Sequence, residues 1–432
     1  MPRGYLNLDN YDIDGATGFF PPQPLQRLDG VFELWERGLE EAEGNLSLGS
    51  DGRAEAKAKR ARGEAWRAQI RSLPVLDIRC LGNDERRWQR AHMTLGFLVH
   101  YYVHSQPPRS QPGPVTVPKS LAIPLVKVSR LLGTAPVLTF ADVVLWNWTP
   151  IDPQLPISAH NYGCTHTLSG TQTEVEFYRL SARVEIRGVE MLRIIDRYVH
   201  LEDKTSMITM SRLAKDLERL STIIQEMADI MANSKQTVEP YAFYWHVRPW
   251  WNGNTSSGTN VTDWIYEGVP ETEKLNLGGP SAGQSTVMHA LDAFLDVDHT
   301  ATKRRYPPPS EDNQKADTGF MERMRQYMAG KHRAYLADLS SIQLPIRELA
   351  KENAMLREAF DTATLTLKKL RDMHIRVATL YVVSMSHTAP PEGSELIVAP
   401  RKGPVKGTGG NDLSSLLKAG RDATNRESTT DS

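Results

Sequence analysis

Thiols are scarce in this chain: Cys80 and Cys164 are the two cysteines among 432 residues. That argues against a disulfide framework, and neither cysteine sits in a local pair of the kind that binds zinc, so a reducing compartment is expected. Net charge is equally short. Lys plus Arg number 51 and Asp plus Glu 52, a formal charge of −1, so no overall field draws the chain to nucleic acid or to an anionic membrane. Long apolar runs are missing as well. No stretch of about eighteen apolar residues is present to cross a bilayer, and the opening MPRGYLNLDNYDIDG lacks the apolar core of a secretory signal. The expectation is a soluble, cytoplasmic protein that handles a small molecule, with no nucleic acid and no membrane among its partners. Strand signals are few and no internal repeat is evident, which makes the expected fold class all-α.

A chain of this length buries at least one large core and is expected to divide in two. The first thirty residues, rich in Gly, Pro and Asp, should wrap the surface. Apolar periodicity predicts helices over 31–43, 54–72 and 85–104, the second carrying an exposed Arg, Lys and Ala face and the third more buried. The proline-studded segment 105–118 reads as a loop, 124–132 as a short helix and 140–148 as a buried one. Prolines at 150–156 mark the expected joint. It separates a small N-terminal helical domain, 1–160, from a larger helical domain, 161–432. Helices are then predicted over 174–200, 213–231, 281–295, 320–328 and 346–359. Loops are expected at 250–262, 299–317 and 387–405, a last helix at 412–421 and disorder in the final ten residues.

The stretch that organises the chain is 364–385, TLTLKKLRDMHIRVATLYVVSM. Leu370, His374, Val377 and Tyr381 recur at helical spacing, which sets an imidazole in an inward-facing stripe. Such a histidine either ligates a metal or haem iron or is a hydrogen-bonded core residue. Similar alternatives attend the other candidates. His92, His100 and His104 are spaced to share one helix face, as a metal site or as donors at the core edge. Ser181 and Gly188 form a small-residue notch, suited to a planar ligand or to close helix packing. Arg179, Arg183 and Arg187 read as a solvated face.

Six segments occur in one order: 139–148 (TFADVVLWNW), 242–249 (AFYWHVRP), 281–285 (SAGQS), 324–328 (MRQYM) followed by His332 and Arg333, 370–374 (LRDMH), and 406–412 (KGTGGND). As an ordered set, spanning residues 73–418, they resemble the indoleamine 2,3-dioxygenase family of haem enzymes. The resemblance implies a two-domain helical fold, haem b as cofactor, and insertion of both atoms of dioxygen into the indole ring of L-tryptophan or a related indole, giving N-formylkynurenine in tryptophan catabolism. It also implies an electron donor that keeps the haem iron ferrous.

Carried over residue by residue, the resemblance makes His374 the proximal haem ligand and thus the metal-binding residue. Arg371 becomes the partner of a haem propionate and Asp292 an acidic residue supporting it, in keeping with the pairing of guanidinium and carboxylate. Phe177 and Ser181 match the aromatic and the hydroxyl on the side where dioxygen is taken up. Phe243 and Arg248 match substrate contacts, an aromatic wall for the indole and a cation for the carboxylate. Ser281 and Ala282 match a segment over the haem. Thr408 and Gly409 match a loop closing over the substrate ammonium and a propionate. Apart from the resemblance, Arg371 reads as a surface charge, Phe243 as a core residue and the glycines around Thr408 as a connector.

Departures concern the substrate. Phe140 and Val143 stand where some relatives carry tyrosine and cysteine, which removes polar groups from the expected pocket. Arg179, Arg183 and the Trp-rich surroundings of Arg248 look unlike the animal members, and the pair Arg248–Pro249 resembles fungal ones. Two rival expectations stand beside the dioxygenase: a haem-binding sensor or interaction protein without turnover, and a related haem enzyme acting on another indole or aromatic amine.

Overall fold

Caps and apolar stripes account for the long helices of the computed structural model, which describes residues 8–108, 111, 113–204, 206–254, 261–297, 319–395, 418 and 421–425. Helix α1 covers Glu33–Ala42 and α2 covers Ala54–Ser72. Asp84 accepts from the amides of Arg86 and Arg87 to start α3, Glu85–His104, a capping contact worth about 1 kcal/mol. Every residue from Gln89 to Val103 in α3 is buried, as expected of a helix that is apolar nearly all round and runs through the core. Thr171 caps α5 (Gln172–Val199), Ser206 caps α6 (Met207–Ala232), and Asn353 caps α12 (Ala354–Ala378). The buried stripe of α12 is Leu356, Phe360, Ala363, Leu367 and Leu370, and α12 and α6 form the most extensive helix pairing among the described residues. Further helices are α4 (Lys119–Leu132), the single turn α7 (Pro240–Ala242), α8 (Thr286–Phe294), α9 (Phe320–Arg325), α10 (Gly330–Ser340) and α11 (Ile346–Glu352).

The mainly helical class holds, with several local differences. The segment 105–118, expected as a loop, contains β1 (Gly113–Val117), and β4 (Val261–Tyr266) starts at the end of the loop expected at 250–262; the two pair in parallel with Val115 opposite Trp264 and Val117 opposite Tyr266. Helix α4 begins before Pro124 and carries it internally, at the cost of one backbone hydrogen bond. The expected helix at 140–148 is a single π-helical turn, Ala141–Leu145. The expected helix from Ser281 starts later: Ser281 caps a 3-10 turn, Ala282–Gln284, and Ser285 caps α8. The predicted helix 346–359 breaks at Asn353 into α11 and the start of α12. The proline segment near 150 is closed by an antiparallel pairing of β2 (Trp148–Thr149) with β3 (Gly163–Cys164). Within it, the Asn161 side-chain amide donates to the carbonyls of Asp152, Leu155 and Pro156.

Three π-helical turns occur among the described residues: Ala141–Leu145, Phe243–Val247 and Thr379–Ser384. Such turns gather at functional sites because the wider coil re-aims side chains. The last one continues α12 without a break. No helix of the described residues is long and apolar enough to cross a membrane.

Candidate haem and substrate site

His374 sits on α12 with its ring set deep in the protein. Burial, and then the charge of Arg371, hold its pKa below the ordinary imidazole value, so the ring is neutral at pH 7 and one nitrogen keeps its lone pair. The residue as a whole nevertheless retains partial accessibility. Among the described residues no hydrogen bond is made by this ring, so the carbonyl or carboxylate partner that usually orients such an imidazole is not supplied there. A neutral imidazole with no partner among the described residues is the donor that haem iron requires.

One turn earlier, the Arg371 guanidinium donates to Asp292 on α8 and to the Thr424 hydroxyl. Both members of the ion pair are largely buried, with side-chain exposures of 11% and 5%. Arg371 is therefore not the surface charge that its sequence context alone suggests, and a guanidinium has donors enough to hold a further anion. Helix α8 is in turn fixed to α5. A Cβ on Gly188 would come within 2.6 Å of Val287, so the notch at Gly188 is filled by close packing with α8. Glu185 of α5 accepts from the Ser285 hydroxyl at the α8 cap.

The aromatic half of the site is built from α5 and the turn after α7. The Phe177 and Phe243 rings lie 4.8 Å apart, and Trp251 lies 5.0 Å from Phe177 and 5.5 Å from Phe243. Trp251 is located by its Nε1–H, which donates to the Tyr178 hydroxyl at 3.2 Å. Tyr178 donates in turn to Glu174 at 2.6 Å, a carboxylate that also accepts the amides of Leu168 and Ser169. Phe243 meets Tyr381 edge-on at 5.6 Å. Because Tyr381 is seven residues beyond His374, about two turns or 10 Å along a helix, this contact joins the aromatic cluster to the helix that bears the imidazole. The chemistry such a place permits is binding of a flat aromatic body beside a neutral nitrogen ligand.

The other expected residues fall around these two halves. Ser181 is half-buried, and its hydroxyl donates to the Phe177 carbonyl at 3.0 Å, which leaves its oxygen as an acceptor. Arg248 starts a 3-10 turn, Arg248–Trp251, and its guanidinium stands 5.5 Å from the centroid of the Tyr244 ring, a cation–π contact. Phe140 and Val143 are buried, and the Phe140 amide donates to the Gln284 side chain. Ser281 and Ala282 form the turn leading into α8, with Gly283 against Phe320 and Met324. Thr408 and Gly409 lie outside the described residues.

The three histidines of α3 are occupied within the protein. His92 directs one nitrogen to Asp142 at 2.7 Å and the other to the Ala135 carbonyl at 3.0 Å, which pins the turn carrying Phe140 and Val143. His100 and His104 reach the carbonyls of Trp250 and Asn252. The sequence reading did not single out Tyr244, Glu174, Tyr178 or Trp251 as parts of the site. Of these only Trp251 carried a signal, its place in the tryptophan-rich stretch after Arg248.

The family model described as indoleamine 2,3-dioxygenase matches residues 7–427. The chain is similar to indoleamine 2,3-dioxygenase 2 of Mus musculus, at 31% identity over 97% of this chain and 95% of the relative. It is similar to indoleamine 2,3-dioxygenase of Saccharomyces cerevisiae at 30% identity, with 83% and 82% covered. A third relative, 6-hydroxytryptophan 2,3-dioxygenase of Fusarium equiseti, is 27% identical with 95% of each chain covered.

Proposed function

The chain belongs to the indoleamine 2,3-dioxygenase family, haem-dependent enzymes acting on indoles, and we propose that its reaction is the conversion of L-tryptophan to N-formylkynurenine. The C2–C3 bond of the indole is cleaved and each of those carbons receives one atom of the same dioxygen molecule, so no other oxidant is consumed. Bound haem supplies the iron at which dioxygen is activated. The protein's share is binding, orientation and exclusion of water.

The observation that carries this reading is the neutral His374 imidazole, without a partner among the described residues and tied through the Tyr381–Phe243 contact to an aromatic slot. In this reading His374 holds the iron, and Arg371, braced by Asp292, faces a propionate. Phe177 and Phe243, packed on each other, wall the indole pocket and keep it dry. Arg248, steadied over Tyr244, takes the substrate carboxylate, and Ser181 presents an oxygen toward the reacting face. Ser281 and Ala282 border the haem, and Thr408 with Gly409 closes over the substrate ammonium. A division of the chain near residue 160 and an external electron donor complete the proposal.

Phe140 and Val143 favour the unsubstituted indole over a hydroxylated one such as the Fusarium relative's name indicates. A ring hydroxyl buried against these two side chains would lack a partner, a penalty of roughly 1–3 kcal/mol. The test is turnover of L-tryptophan by haem-loaded, reduced protein under isotopically labelled dioxygen. The proposal expects N-formylkynurenine bearing two labelled atoms, and a preparation that binds haem yet forms none of it contradicts the substrate assignment.

A further inference from the structure

We propose that His100 and His104 are positioning residues for substrate recognition: one turn apart on α3, their ring N–H groups grip the Trp250 and Asn252 carbonyls and so set where Arg248 and Trp251 stand. The inference rests on the reading of Arg248 as the carboxylate-binding residue.

The grip is built from two donors aimed at one short turn. His100 Nδ1 lies 2.7 Å from the Trp250 carbonyl and His104 Nε2 lies 2.8 Å from that of Asn252. The two carbonyls flank Trp251, whose ring packs on both Phe177 and Phe243; Trp250 lies in the 3-10 turn that Arg248 starts and Asn252 follows directly on it. Each imidazole is itself located, since both stand edge-on to Trp264 of β4, at 5.3 and 5.7 Å. His100 is fully buried and its Nε2 has no partner among the described residues, which selects the tautomer that donates through Nδ1.

The opposite side of the turn is closed by backbone. A Cβ on Gly253 would fall 2.2 Å from the Leu277 carbonyl, and one on Gly279 would fall 1.7 Å from the Trp251 carbonyl. The Asn254 amide also donates to the Leu277 carbonyl at 2.8 Å. The turn is therefore pressed between the 277–279 backbone and the two histidines. Relaxing the histidine side is the direction in which Arg248 and Trp251 can move.

The test uses the full-length, haem-loaded protein. Asparagine places an amide N–H where Nδ1 stands, and glutamine places one where Nε2 stands, so His100→Asn and His104→Gln preserve the grip, whereas His100→Leu and His104→Leu remove it. The readouts are kcat and KM for L-tryptophan, haem content, thermal midpoint, and dissociation constants for L-tryptophan and for tryptamine, which lacks the carboxylate, from substrate-induced shifts of the haem absorption.

Each leucine variant is expected to raise the KM and dissociation constant for L-tryptophan about fivefold, the equivalent of one neutral hydrogen bond. Binding of tryptamine, kcat and haem content should change less than twofold, and the polar replacements should recover the native values. Equal losses for both ligands, or losses that follow the thermal midpoint and are not recovered by His104→Gln, overturn the inference in favour of a purely structural role. Should the leucine variants fail to fold, His104→Gln against the shorter His104→Asn makes the same comparison. Arg248→Ala is measured in parallel. If it does not discriminate the two ligands, the carboxylate reading falls and the inference with it; if it does and the histidine variants do not, the grip alone is refuted.

Discussion

Arg371 and Asp292 form a buried ion pair that bridges α12, the helix bearing His374, to α8. Removing one member of such a pair leaves an uncompensated charge and costs about 3–5 kcal/mol, whereas replacing both by apolar residues is often far less harmful. Asp292→Ala is therefore expected to lower stability by roughly that amount, read as a shift in denaturant midpoint, and to release haem more readily. The double change Asp292→Leu with Arg371→Met should recover part of the stability without recovering haem retention. Recovery of both would show that the guanidinium has no part in holding the cofactor.

The Phe177–Phe243 pair makes a separate prediction. Aromatic contacts of this kind contribute about 0.5–1.5 kcal/mol beyond area burial, and truncating Phe243 also opens the slot toward Tyr381 and Trp251. Phe243→Ala should lower kcat/KM for L-tryptophan by about tenfold or more while haem remains bound. Unchanged kinetics in a haem-loaded variant would place the indole elsewhere.

Two buried groups act on stability in opposite directions as pH changes. Burial raises the Glu185 carboxyl to about 7, against stabilising contacts from Ser285 and Val287. With a folded pKa above the unfolded one, its contribution is fully present below about pH 4.5 and is lost as pH rises through 7. At 1.36 kcal/mol per pKa unit the loss is about 3 kcal/mol. Burial, followed by the neighbouring His104, lowers His100 to about 3. Its contribution is present above pH 6.5 and is lost as pH falls toward 3. Unfolding free energies at pH 4.5 and 7.5 check both: Glu185→Gln should be relatively more stable than the parent at pH 7.5, and His100→Asn relatively more stable at pH 4.5. Equal offsets at the two pH values would contradict the burial argument.

Helices α2, α3 and α5 were legible from the residues alone, whereas α6 begins at Met207 and α12 at Ala354, ahead of the starts expected at 213 and 364. The bounds of α2 and α3 follow from Asp84 and from continuous helix formers, with no need of tertiary information. The β1–β4 pairing was not, because each strand is short and Val115 finds Trp264 only across 149 positions of chain (115 to 264). The start of α8 was misplaced because Ser281 and Ser285 both carry capping hydroxyls, and sequence does not say which one opens the longer helix. The π-helical turns gave no signal, since their residues are those of ordinary helices.

For the site, helical spacing placed His374 on an inward stripe, but its choice between ligand and core residue came from the resemblance. The buried partnership of Arg371 with Asp292 ran against the local composition around Arg371. Gly188 resolved toward the plainer of its two readings, close packing on Val287. His100 and His104 shared a face as spacing required, yet what they bind are main-chain carbonyls, which no side-chain pattern records.

The most direct test of the central claim, that His374 carries the haem, is the absorption spectrum and haem stoichiometry of His374→Ala beside the parent protein, both produced with ample haem supply. The account predicts close to one haem per chain in the parent, and in the variant loss of most haem together with loss of the spectrum of imidazole-ligated iron. A variant that keeps a full complement of haem with an unchanged spectrum would contradict it.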